Sequence, residues 1–127
     1  MIALDSSALI AHLEGRDTVV AAAAGLVLAE RQACLPPVVL SEILGDPKLP
    51  PKVAALIIAL PSLAVTEGYW ERAGRLRARL LAKGFKARLA DTLIAQSCLD
   101  HGVSLVTADR DFRHFVSLGK LRLFDGA

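Results

Sequence analysis

Aromatic side chains are scarce in this chain: four Phe, one Trp and one Tyr make up 5% of its 127 residues. The core must therefore be built largely from Leu, Val, Ile and Ala. An apolar fraction of 54%, above the ~45–50% usual for soluble domains, supplies them amply. Cysteine is equally sparse. Cys34 and Cys98 lie far apart and in no metal-ligand spacing, so they read as buried free thiols. No apolar run reaches the ~18–20 residues of a membrane span, and the longest, Val19 to Ala29 and Val53 to Leu60, read as buried helices. No charged leader precedes an apolar stretch, because the chain enters a strand-like run at once. These absences predict one cytoplasmic domain over residues 1–127, with no membrane partner. Internal repeats, linkers and low-complexity tracts are also missing.

A strong surplus of either charge is absent too, since the formal net charge is only +2. Its distribution is uneven. Between Glu71 and Arg88 stand Arg72, Arg75, Arg77, Arg79, Lys83, Lys86 and Arg88, seven basic residues against Glu71 alone. A second group comprises Arg110, Arg113, His114, Lys120 and Arg122. A solvated helix face explains such charge as well as a nucleic-acid surface does. Arg72, Arg75 and Arg79 share a helical face by their three- and four-residue spacing.

Apolar runs bounded by Pro, Gly and Asp divide the chain into alternating strands and helices. Ile2 to Leu4 reads as a strand, Ser6 or Ser7 as the cap of a helix toward Glu14, and Gly15 as its end. Asp17 reads as the cap of an Ala-rich helix from Thr18 to Arg31. A very short strand is predicted at Cys34-Leu35. Pro36-Pro37 opens a helix carrying Glu42, and Pro50-Pro51 another to Leu60. Leu63 to Val65 predicts a strand, Thr66 and Glu67 start a helix to Lys83, and Leu89 to His101 forms one closed by Gly102. Ser104 to Thr107 and Leu121 to Phe124 are the last predicted strands. The alternation predicts an α/β fold: a mainly parallel central sheet of four to five short strands, with helices on both faces.

Four acidic residues stand out against this pattern: Asp5, Glu42, Asp91 and Asp109, each set in an apolar run. Asp5 and Asp109 follow predicted strands and emerge at the carboxyl edge of the sheet, where ligands bind in such folds. Asp91 falls in the first turn of its helix, where the dipole favours a carboxylate. Glu42 shares a side with Val39 and Ile43 and is expected to point inward, with no basic residue obvious as its partner. Clustered, desolvated carboxylates repel one another, and a hard divalent cation is the usual remedy. Basic residues beside such a cluster gain a role, holding a phosphate backbone while the metal acts on one phosphodiester.

Leu4-Asp5-Ser6-Ser7, the Ser41-Glu42 helix, Ala90-Asp91-Thr92-Leu93-Ile94-Ala95 and Thr107-Ala108-Asp109-Arg110-Asp111-Phe112 resemble the motifs of PIN-domain ribonucleases. The likeness is strongest to the short VapC-type toxins of toxin–antitoxin operons, and it covers almost the whole chain. It implies a PIN-like three-layer fold and Mg²⁺- or Mn²⁺-dependent hydrolysis of RNA. Asp5, Glu42, Asp91 and Asp109 match the family's acidic quartet, Ser7 and Thr107 match polar positions bordering the site, and Asp111 matches a further acidic position of variable role. Ser6 and Ser7 stand where the family often has Thr or Asn. Asp5 and Asp91 are assigned as direct ligands, Asp109 as direct or through water, and Glu42 as a ligand or the residue orienting the attacking water. RNA-contacting candidates are Arg72, Arg75, Arg79, Arg88 and Arg110. The resemblance also implies a homodimer and a small cognate antitoxin. The nearly all-apolar Val53 to Leu60 helix independently predicts an exposed contact surface.

Each acid has a plainer reading. Asp5 alone reads first as a helix cap, Asp109 and Asp111 as a turn, and Asp91 as an early-helix charge. Asp46, Asp100 and Asp125 read as surface residues, and His12, His101 and His114 have no triad or metal-ligand spacing. A receiver-like domain is excluded because Asp5 lacks an acidic neighbour and Thr66-Glu67 follows the middle strand. A phosphatase with Asp-x-Asp after the first strand is excluded by Asp5-Ser6-Ser7. The alternative that remains is a PIN fold used only to bind RNA or protein.

Overall fold

Pro and Gly mark several helix boundaries in the structure, a computed structural model that describes residues 1–124. The order is β1 (Ile2–Leu4), α1 (Ser6–Leu13), α2 (Val19–Ala29), β2 (Ala33–Cys34), α3 (Pro37–Leu44), α4 (Pro51–Ile58), α5 (Tyr69–Ala82), α6 (Leu89–His101) and β3 (Leu105–Val106). A 3₁₀ turn at Arg110–Phe112 then leads into α7 (Arg113–Gly119). Pro37 and Pro51 start α3 and α4, where a missing N–H costs nothing. Gly15 and Gly102, both at positive φ, follow α1 and α6.

The strands run parallel in the order β2-β1-β3, with Ala3 opposite Cys34 on one side and Leu105 on the other. Their residues Ala3, Leu4, Ala33, Cys34, Leu105 and Val106 are all buried, as a parallel sheet covered on both faces requires. α1 packs with α2, and α5 packs with α6 and α7. The core is mainly aliphatic as expected; its buried aromatics are Tyr69 on α5, Phe112 in the 3₁₀ turn and Phe115 on α7. Both cysteines are buried and free. Among the described residues no helix is long and apolar enough to cross a membrane.

Several sequence expectations need correction. Leu63–Val65 and Leu121–Phe124 are not strands; single parallel bridges, Leu35 with Ser62 and Leu105 with Leu123, extend the three-stranded sheet at its edges. Pro61 has no N–H to continue a ladder, and the Leu121 N–H is held by the Phe115 carbonyl at the end of α7. Asp5 caps α1 in place of Ser6 or Ser7, and Thr18 caps α2 in place of Asp17. The helix opened by Pro50-Pro51 ends at Ile58, short of Leu60, and buries only Ile57, leaving Leu56 and Ile58 exposed. Asp100 is not a free surface acid, because Arg72 grips it at 2.6 Å and 3.0 Å. Asp125 lies outside the described residues.

Candidate metal centre

Because β1 and β3 are neighbours and parallel, their carboxyl ends deliver Asp5 and Thr107 side by side. The Asp5 side chain is buried and fully engaged. Oδ1 accepts from the Ala8 N–H at 2.9 Å and the Ser7 hydroxyl at 2.7 Å, while Oδ2 accepts from the Thr107 hydroxyl. Asp5, expected as a direct ligand, thus caps α1 and is bonded through Thr107 to the loop that carries Asp109, but it is not one of the grouped carboxylates. Thr107 Oγ1 in turn accepts the Asp109 N–H at 3.0 Å, and Ser7 Oγ accepts that of Ala108 at 2.9 Å. These bonds lock the loop after β3 onto the start of α1. Burial raises the Asp5 pKa; the bonds from Thr107, Ala8 and Ser7 oppose that rise, and the Asp109 charge adds to it.

Asp91 projects from the first turn of α6 toward the same edge. One oxygen each from Asp91, Asp109 and Asp111 lies within 4.8 Å of the others. Asp109 Oδ1 accepts the Asp111 N–H at 2.9 Å, which winds the 3₁₀ turn and brings Asp111 round to the cluster. The Asp91 pKa is pushed up to about 6, first by burial and then by the Asp109 charge, with smaller pushes from Asp5 and Glu42. Arg88, at the N-cap of α6, pulls it the other way. Asp91 Oδ2 is buried and has no hydrogen-bond partner.

Glu42 departs from expectation, being exposed. The buried residues of α3 are Val39 and Ile43, and Glu42, one position short of Ile43, falls about 100° away around the helix. Its Oε1 accepts the Ser6 hydroxyl at 2.7 Å, which ties α3 to the site. Ser6, which the sequence suggests only as a cap, therefore positions Glu42. Sequence reasoning also misses Lys86, whose ammonium lies 3.5 Å from Asp111 Oδ2. Neither pairing has a local sequence signal, since the partners are 36 and 25 residues apart.

The five arginines separate. Arg88 and Arg110 belong to elements that carry the acids. Arg75 and Arg79 line a cavity between α5 and α6. Arg72 is committed to Asp100, with further bonds to the Glu67 carbonyl and the Thr66 hydroxyl, so it is a structural clamp.

An unpartnered buried carboxylate oxygen costs about 1–3 kcal/mol, and neighbouring like charges add to that. A hard divalent cation relieves both, and an all-oxygen donor set selects Mg²⁺, Mn²⁺ or Ca²⁺ over softer ions. The residues present fit such an ion.

Comparisons with known proteins bear on the fold and the family. The PIN domain family matches residues 2–117. No curated protein matches the chain. Among solved structures, the fold is similar to VapBC2 from Rickettsia felis, determined bound to a DNA fragment from its promoter. That likeness has 22% identity and a TM-score of 0.73 over 98% of each chain.

Proposed function

The chain belongs to the PIN-domain family, and from that premise we propose that it is a metal-dependent endoribonuclease, the toxin of a VapC-type toxin–antitoxin pair. The observation that carries this reading is the unpartnered, buried Asp91 oxygen within a cluster of like charges. Asp91 and Asp109 hold the ion, with Asp111 and Asp5 as the further carboxylates at hand. The tight grouping favours Asp111 as a ligand, while Asp5, already bonded by Ser7, Ala8 and Thr107, fixes the position of the Asp109 loop and adds negative charge.

Mg²⁺ or Mn²⁺ bound there supplies Lewis acidity toward a phosphodiester. Glu42, exposed and oriented by Ser6, would take a proton from the water that forms the new P–O bond, while the P–O bond to the leaving nucleoside breaks and its oxygen takes a proton from solvent. Arg88 and Arg110 lie on the elements bearing Asp91 and Asp109 and draw the RNA phosphates to the acidic edge. The fold likeness to VapBC2 supports a cognate antitoxin, and exposed Leu56, Ile58 and Trp70 support a homodimer. Such a toxin acts in the cytoplasm.

The test is incubation of the purified protein, freed of any antitoxin, with single-stranded and structured RNAs in Mg²⁺, Mn²⁺ or EDTA. Cleavage only with metal, abolished by Asp91→Ala, is the expected result. Absence of metal-dependent cleavage of every RNA would leave a module that binds without turnover.

A further inference from the structure

The basic stretch of α5 builds a second site, away from the carboxylates. Between α5, α6 and the end of α7 lies a cavity of about 540 Å³, with Leu76 and Leu99 as apolar walls and Arg75, Arg79 and Lys120 around it. Arg75 and Arg79 are four residues apart on α5 and share a face. Among the described residues, none of the three cations forms an ion pair. The carboxylate bonded to two other lining residues, Asp100, is already neutralised by Arg72 and accepts from Gln96 at 2.8 Å. The positive charge of Arg75, Arg79 and Lys120 is therefore not cancelled from below.

The backbone fixes where Lys120 stands. Lys120 has φ of +64°, the left-handed conformation usually left to Gly at a helix end. The residue before it is Gly119, where an added Cβ would lie 3.2 Å from Leu76 Cδ1. The bare glycine lets the end of α7 settle onto α5, and the left-handed turn follows it at the cavity. One sign of charge over low-dielectric walls focuses the field, and guanidinium forks match phosphate oxygens.

We propose that this cleft binds a phosphate of the nucleic-acid backbone other than the one held at the carboxylates. The identity of the ligand rests on the ribonuclease reading above. α6 carries Asp91 near one end and Leu99 eight residues on, about 12 Å along its axis at about 1.5 Å per residue. One phosphate cannot occupy both places at that separation. Engagement at both places requires a substrate longer than a dinucleotide.

The experiment measures binding of single-stranded RNA in EDTA by fluorescence anisotropy across a salt series, for the full chain and for Arg75→Gln/Arg79→Gln/Lys120→Gln. Because the cleft holds one phosphate, removing its three cations makes the slope of log K against log salt shallower by about 0.7, and low-salt affinity falls more than tenfold. An Arg16→Gln/Arg31→Gln control keeps the wild-type slope. An unchanged slope and affinity in the triple variant overturns the proposal. If the triple variant keeps RNA binding and instead loses binding to a poly-glutamate peptide, the cleft belongs to an acidic protein partner and the proposal also falls. A salt-slope difference that persists without any metal-dependent cleavage would sink the ribonuclease reading and leave the phosphate cleft standing.

Discussion

Replacing Asp91 with Asn should make the metal-free protein more stable while removing its reason for having the site. Asp91 is held near a pKa of about 6 against a usual 3.8, because its charged form is desolvated and faces Asp109. A raised carboxylate pKa means that the folded state binds the proton more tightly than the unfolded chain does. The stabilisation from that proton is complete below about pH 3.8 and is lost as pH rises through about 6. At pH 7.5 wild type therefore carries an unrelieved charge. A rise of that size is worth at most about 3 kcal/mol, and solvent screening of a half-buried group reduces it to about 1–2 kcal/mol. Asn keeps the shape and removes the charge, so in EDTA at pH 7.5 the Tm of Asp91→Asn should exceed wild type by about 3–8 °C. The gap should narrow at pH 5. Thermal unfolding followed by circular dichroism reads both values. Adding Mg²⁺ should raise the wild-type Tm by mass action and leave the variant unmoved. A lower Tm for Asp91→Asn in EDTA at pH 7.5, with native secondary structure, would refute the reasoning, since the carboxylate would then be serving the fold.

Other perturbations separate the site from its support. Thr107→Val deletes the hydroxyl joining Asp5 Oδ2 to the Asp109 N–H; a loss of about 1–3 kcal/mol in chemical denaturation and a marked fall in RNA cleavage are expected. Arg72→Ala and Asp100→Asn should each lower the Tm by opening the α5–α6 clamp. Because Arg72 holds the Asp100 pKa below the usual carboxylate range, the clamp's contribution is fully present above that range and is lost only as pH falls below it through the lowered pKa, so the variants should approach wild type in strong acid. Burial raises the pKa of both Cys34 and Cys98, so a thiol reagent at neutral pH should label neither in the native protein and both after unfolding.

Much of this arrangement is legible in the linear sequence because it follows from chain direction. Asp5 and Asp109 each stand just past a short apolar strand, and parallel strands necessarily deliver such residues to one edge. Asp91 is legible for a similar reason, as a carboxylate opening a long helix. What escapes depends on packing between distant segments. Glu42 reads as inward because of its apolar neighbours, yet a helix of eight residues has little room between its buried stripe and solvent. Only the approach of α1 gives it the Ser6 hydroxyl. Arg72 shares its spacing with Arg75 and Arg79, but Asp100 lies 28 residues away and claims it. The edge strands fail where Pro61 and the α7 cap remove ladder donors, a local effect that the apolar runs conceal. Asp111 is legible as a residue but not as a cluster member, because its position depends on the 3₁₀ turn that Asp109 caps.

In the proposed function, Asp91, Asp109 and their neighbouring carboxylates hold a divalent cation. Calorimetric titration of Mn²⁺ into the purified, EDTA-treated and dialysed protein tests it most directly. Saturable binding by wild type, lost in Asp91→Asn and weakened in Asp109→Asn, is expected. Equal Mn²⁺ affinity in wild type and Asp91→Asn, with both proteins folded, would contradict it.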